Sequence, residues 1–107
     1  MPPARSNEPT VLILTSLASG PKHGHALALD IEDFAGVRLG PGTLYGAITR
    51  LEEQGLIEAL PADERRRPYR ITAAGHAQLS TAIEEMDRIV TTASRRLRRQ
   101  SPRLGLA

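Results

Sequence analysis

Glycine and proline divide the first half of this 107-residue chain so closely that its helices there must be short. Gly20-Pro21, Gly36, Gly40-Pro41-Gly42 and Gly55 each end or begin a segment. Glycine reaches left-handed backbone at little steric cost, and proline removes an N–H donor. The most sharply bounded stretch is "GPGTLYGAITRLEEQGLI", from Gly40 to Ile57. It opens on a tight turn and predicts a helix starting near Pro41 to Thr43. Gly55 is its C-terminal cap, and Leu56 can close over it. Leu44, Ile48 and Leu51 recur at spacings of four and three and mark the buried side. Thr43, Tyr45, Gly46, Thr49 and Arg50 are left on the outside.

Two helices precede this one. Asn7 can cap the first, with Pro9 tolerated in its first turn. Its "VLILTSLA" is apolar on nearly every side, which predicts a mostly buried helix. The second runs from about Gly24 to Ala35, with Leu27, Ile31 and Phe34 as one apolar stripe. Asp30, Glu32 and Asp33 lie off that stripe, and Gly36 ends the helix in a left-handed cap. "VRL" at 37–39 could form a small strand.

Beyond Gly55 the period changes to two. Ile57 and Ala59 alternate with Glu58, and Tyr69 and Ile71 alternate with Arg70. A polar tip from Pro61 to Pro68 joins them, so the segment predicts a hairpin with an arginine-bearing loop. Thr72 then caps a long final helix. In it, Leu79, Ile83, Met86, Val90, Ala93 and Leu97 are spaced four, three, four, three, four, as in a heptad seam. Such a helix either packs back on its own domain or pairs with a second copy. The seam outruns what a small domain can cover, which favours self-association. The expected organisation is a disordered leader at 1–7, a three-helix and hairpin domain at 8–72, a dimerisation helix at 73–100 and a disordered tail at 101–107.

Charge placement says more than the net charge of +2. Arginines cluster at Arg65, Arg66 and Arg67 and again from Arg95 to Arg103, and no acidic residue follows Asp87. Basic patches on a near-neutral chain point to a local polyanion contact. With one Phe, two Tyr and no Trp, a stacking platform for single strands is not expected. The absence of cysteine excludes disulfides and thiolate metal sites. No apolar run approaches the roughly 18 residues of a membrane span. The opening "MPPARSNEPT" lacks the pattern of a signal peptide, so a cytoplasmic protein is expected.

Three helices followed by a hairpin describe a mainly α (α+β) winged helix-turn-helix with a long C-terminal helix. In that arrangement the later helix lies in the major groove of DNA. Its N-terminus offers free N–H groups and a positive dipole end to a phosphate. Gly42 lets the backbone approach closely, and Thr43 adds a hydroxyl. Tyr45 can donate to a phosphate, and Gly46 removes bulk. Thr49 can touch a thymine methyl or a phosphate, and Arg50 can reach guanine or the backbone. Arg65, Arg66 and Arg67 on the wing can sit on phosphates or enter a narrowed minor groove, opposed somewhat by Asp63 and Glu64.

"PGTLYGAITRLEEQGLIE" followed by "RPYRITAAGHAQL" closely resembles the PadR family of bacterial transcriptional regulators, and "ILTSLASGPKHGHALA" matches its first two helices. The shared residues are Gly42-Thr43-Leu44-Tyr45, Leu51-Glu52, Gly55-Leu56-Ile57, Tyr69 and Ile71-Thr72 with Gly75, and the likeness runs from about Val11 to Leu97. The resemblance implies a homodimeric repressor whose C-terminal helix packs partly on the other subunit's first helix. It places DNA contact at Thr43, Tyr45 and the wing arginines. Two departures stand out. His23-Gly24-His25 replaces the family's usual His-Gly-Tyr. The lack of tryptophan excludes the paired-tryptophan drug site of some relatives.

Other function classes fare worse. No nucleophile, base and orienter converge, and "GPGT" lacks the lysine of a phosphate loop, so no enzyme and no cofactor are expected. His23 and His25, two apart, with His76 distant, make a weak metal signal, and none is expected. A protein-interaction module built on the final helix would leave the wing and groove helix without a purpose. The expected activity is therefore a homodimer on a palindromic operator in double-stranded DNA, with groove helices about 34–36 Å apart. An apolar small-molecule effector in the cleft between the long and first helices would release it.

Overall fold

Helix α1, Pro9–Leu17, is the hub of the molecule, with Val11, Leu12, Ile13, Leu14 and Leu17 all buried. The computed structural model describes residues 8–62 and 65–104, the last four by backbone alone. Helices α2 (Gly24–Ala35) and α3 (Pro41–Glu53) pack on α1 through Leu27, Ile31, Leu44, Ala47, Ile48 and Leu51. Fully burying one such aliphatic side chain is worth about 1.5–3 kcal/mol relative to leaving it exposed. Glu8, not Asn7, occupies the cap position of α1 and gives no side-chain hydrogen bond. Asn7 lies outside the described residues, as does the whole leader at 1–7.

The three strands are short. β1 (Lys22–His23), β2 (Ile57–Ala59) and β3 (Pro68–Ile71) form one antiparallel sheet in the order β1-β3-β2. The hairpin pairs Ile57 with Ile71, Glu58 with Arg70 and Ala59 with Tyr69. The Glu58 carboxylate and the Arg70 guanidinium form a cross-strand ion pair. Pro68 belongs to β3, where its carbonyl accepts from the Leu60 N–H at 2.9 Å, so the wing tip is shorter than Pro61 to Pro68. Asp63 and Glu64 at that tip lie outside the described residues.

Two local expectations are corrected. Residues 37–39 form no strand; Val37 and Leu39 are half-buried and pack on the core. The third strand is β1, two residues whose partners lie some 45 positions along the chain, Lys22 on Tyr69 and His23 on Pro68. Such a pairing leaves no alternation to read. Phe34, assigned to the buried stripe of α2, is 45% exposed. The buried stripe of α2 ends at Ile31, one turn before the Gly36 cap (φ 67°) leads the chain away.

The α3 exit and the start of α4 (Ala73–Leu104) are tied together. At Gly55 (φ 75°), the Gly55 N–H donates to the Glu52 carbonyl and the Leu56 N–H to the Leu51 carbonyl. This is the double bond pattern of a Schellman cap. Thr72 caps α4: its Oγ1 accepts from the Gly75 N–H at 3.1 Å and donates to the Gly55 carbonyl at 2.7 Å. Gly75 sits against the Leu56 carbonyl, and a β-carbon there would also stand 2.7 Å from Ile71 Cγ1. Beneath α1 and α2, buried Ser16 donates to Asp30 at 2.6 Å, and Lys22 Nζ reaches the Ser16 carbonyl, which fastens β1 to both helices.

Helix α4 has two environments. Leu79 and Ala82 are buried and Met86 packs against the core, whereas Ile83, Val90 and Leu97 are 52, 59 and 65% exposed. Ala93 is exposed as well. At about 1.5 Å per residue, 32 residues extend roughly 48 Å. This helix elongates the molecule to 59 × 25 × 22 Å. It continues through Leu104, so the segment expected to be a disordered tail at 101–107 begins as helix; 105–107 lie outside the described residues.

Candidate nucleic-acid interface

Helix α3 presents the site because its two ends are defined and one side is fully committed to the core. Gly40 occupies the cap position and Pro41 the first turn, so the first helical bond runs from the Leu44 N–H to the Gly40 carbonyl at 2.9 Å. The N–H groups of Gly42 and Thr43 precede it and have no acceptor within the helix.

Successive residues turn by about 100° around the axis. With Leu44, Ala47, Ile48 and Leu51 inward, Gly42, Gly46 and Thr49 lie along the opposite line. Tyr45 and Glu52 occupy one flank; Thr43 and Arg50 occupy the other. A β-carbon built on Gly42 meets no described atom within 4 Å, and one on Gly46 meets only Arg50 Nη1 at 3.6 Å. Neither glycine is required by packing within the fold. Together they leave a shallow furrow along the outer face. Thr49 Oγ1 donates to the Tyr45 carbonyl at 2.9 Å, so its proton is spent inside the helix while its oxygen can still accept.

Tyr45 does two things. It is 49% exposed, and its ring also covers buried Gly24 at the start of α2. Its flank faces the hairpin. Burial raises the Tyr69 hydroxyl above its ordinary pKa of 10.0, and the charge of Glu52 adds to this while Arg67 opposes it. Tyr69 therefore remains a protonated donor at neutral pH, on strand β3 of the wing.

The structure thus brings Gly42, Gly46, Thr49 and Tyr45 onto one surface; Arg65, Arg66 and Arg67 are exposed on the wing, where the Arg67 charge reaches Tyr69. Arg50 is set apart. It lines a cleft of about 740 Å³ between α1, the end of α3 and α4, where Val11, Leu14, Leu79 and Ile89 also contribute. The walls are mixed, since Gln54, Gln78 and Arg88 line them too.

One residue of this surface was not foreseen. His23, weighed in the sequence only as a weak metal candidate, caps α2 by accepting from the Ala26 N–H at 3.3 Å through Nδ1. Its Nε2 stands 3.2 Å from Arg66 Nη1 on the wing. The signal was its position, immediately before the helix that Gly24 begins, where a ring nitrogen can do what an asparagine oxygen does. Among the described residues no three His, Asp or Glu side chains gather where a metal could bind, and no helix is long and apolar enough to cross a membrane.

Comparison with known proteins bears on this arrangement. Residues 13–81 match the family described as the transcriptional regulator PadR-like family. Over 85 residues the chain is 44% identical to an uncharacterized 37.1 kDa protein in transposon TN4556 of Streptomyces fradiae, covering 79% of this chain and 25% of that protein. The chain thus spans about a quarter of that relative's length. It is 42% identical over 84 residues to a transcriptional regulator of Mycobacterium tuberculosis, covering 73% of this chain and 78% of the other. A crystal structure of a PadR family transcription regulator from Clostridium difficile shares the fold, with a TM-score of 0.76 at 24% identity, covering 85% of this chain and 99% of that one.

Proposed function

The chain belongs to the PadR-like family of transcriptional regulators, and on that premise we propose that it binds a palindromic site in double-stranded DNA as a homodimer and represses transcription there. The observation that carries this reading is the furrow of α3. Two glycines with open space in front of them, at the outer line of a helix whose N-terminal N–H groups are free, admit a duplex that any side chain would hold off. Thr43, Tyr45 and Thr49 then meet backbone or base edges, and the wing arginines meet phosphates. Arg50, on the far flank, serves a phosphate rather than a base.

The dimer is supported by α4. This helix exposes Ile83, Val90, Ala93 and Leu97, and an acidic cluster of Glu84, Glu85 and Asp87, followed at once by Arg88, precedes a basic one of Arg95, Arg96, Arg98 and Arg99. A two-fold antiparallel pair centred on Val90 sets Glu84 and Glu85 of each copy level with Arg96 and Arg95 of the other. A parallel pair sets like charges together, which disfavours it. An effector with an apolar body and a polar end suits the mixed cleft beside Arg50, where it would act by favouring one arrangement of the two subunits.

The test is binding of the protein to genomic fragments recovered by footprinting, at two salt concentrations. Contact with six or more phosphates predicts a loss of orders of magnitude between about 50 and 200 mM salt. A helix-pairing module without DNA contact would recover no preferred fragment and respond little to salt.

A further inference from the structure

His23 has two neighbours, and both are donors. Its Nδ1 receives the Ala26 N–H, and its Nε2 faces Arg66 Nη1. A neutral imidazole carries one ring lone pair and one N–H, and a guanidinium only donates. The ring can therefore satisfy Ala26 or Arg66, but not both at once. Protonation satisfies neither and sets two cations face to face. When Nδ1 holds the helix, Nε2–H and Nη1–H are set against each other, their nitrogens 3.2 Å apart, with no acceptor between them.

Two opposed donors that lack an acceptor describe a place for an anionic oxygen, and the corner lies between the start of α2 and the wing, next to the Gly24 that the Tyr45 ring covers, on the surface assigned to DNA. We infer that His23 is a further DNA-contact residue, whose Nε2–H and the Arg66 guanidinium together grip one phosphate oxygen of the duplex while its Nδ1 caps α2. In the free protein Arg66 competes with Ala26 for the ring lone pair. In the complex the phosphate takes Arg66, the ring settles as the Nε2–H tautomer by proton exchange with water, and the cap of α2 is fully made. This inference rests on the DNA-binding reading above. It adds to that reading a residue from outside both the groove helix and the wing.

The decisive measurement uses the unaltered protein. With nitrogen-15 histidine, the ring signals report the tautomer before and after adding a duplex of about 30 base pairs and arbitrary sequence at roughly 50 mM salt, because a phosphate contact is independent of sequence. The expected result is an Nε2–H ring with an unprotonated Nδ1 in the complex. A bound state with Nδ1–H overturns the assignment. Two variants separate the ring's roles. His23→Asn keeps an acceptor near Nδ1 and loses the outward donor, and should bind the duplex about tenfold more weakly. His23→Gln keeps a donor near Nε2 and should stay closer to wild type. Arg66→Ala should lower the salt slope by about one. Combined with His23→Asn, it should cost less than the product of the two losses. Equal binding by His23→Asn, or losses that multiply, also overturns it. Failure of the wild-type protein to bind duplex DNA in a salt-dependent way would instead sink the DNA reading itself.

Discussion

The ring of Tyr45 on α3 lies against the backbone of Gly24 on α2, so close that a β-carbon at Gly24 would stand 2.8 Å from two ring carbons. Replacing Gly24 by alanine should push the ring outward and destabilise the fold by about 1–3 kcal/mol, the usual cost of overfilling a packed site. Tyr45→Ala in the same chain should recover most of that loss, because the clash disappears with the ring. Urea denaturation of the two single variants and the double variant measures the coupling; simple additivity would contradict the contact.

Gly46 should separate stability from DNA binding. Its surroundings are open, so Gly46→Leu should fold at least as well as wild type, with up to about 1 kcal/mol gained from helix propensity. The same side chain would fill the furrow of α3 and should weaken binding to a footprinted operator at least tenfold. A gel-shift titration beside a thermal melt reads both effects.

The antiparallel pairing proposed for α4 makes a charge-swap prediction. Arg95→Glu with Arg96→Glu should weaken the dimer by sedimentation at micromolar concentration. Glu84→Arg with Glu85→Arg, added to the same chain, should restore it. Val90→Asp should give monomers while leaving the core around Leu79 and Ala82 folded, since Val90 lies beyond it. Solitary subunits that bind the operator as tightly as wild type would refute the dimer.

Tyr69 gives the pH dependence a sign. Its pKa is raised in the folded protein, first by burial and then by the Glu52 carboxylate. A raised pKa means that the folded state holds the proton more firmly than the unfolded chain. The stability from this group is therefore fully present below about 10 and is lost as pH rises through the higher folded value. Tyr69→Phe should flatten that alkaline decline. Glu52→Gln should lower the Tyr69 titration midpoint, as followed by ultraviolet absorbance.

Much of this architecture was legible in the chain because its signals are local. Gly36 and Gly55 adopt the left-handed caps expected of them, Thr72 caps α4, and Leu44, Ile48 and Leu51 are buried on the spacing that marks them. Each outcome depends on backbone freedom or helical period within a few residues. The hairpin was readable for the same reason, since Ile57, Ala59, Tyr69 and Ile71 alternate and their strands are neighbours along the chain.

What could not be read depends on partners distant in sequence. Phe34 keeps the period of its stripe, but burial requires something to pack against, and the buried part of α2 ends a turn earlier. Arg50 shares a helix with Tyr45 yet lines a different cleft, because the positions of α1 and α4 decide which flank of α3 meets the wing. β1 exists only because Lys22 and His23 are brought alongside β3, and the same pairing carries His23 to Arg66. Residue order along the chain therefore determined the helices, their caps and the hairpin, each stabilised within its own few turns. The tertiary structure decided which faces are covered and which donors converge, because burial and hydrogen-bond partnership belong to groups that meet only after the chain has folded.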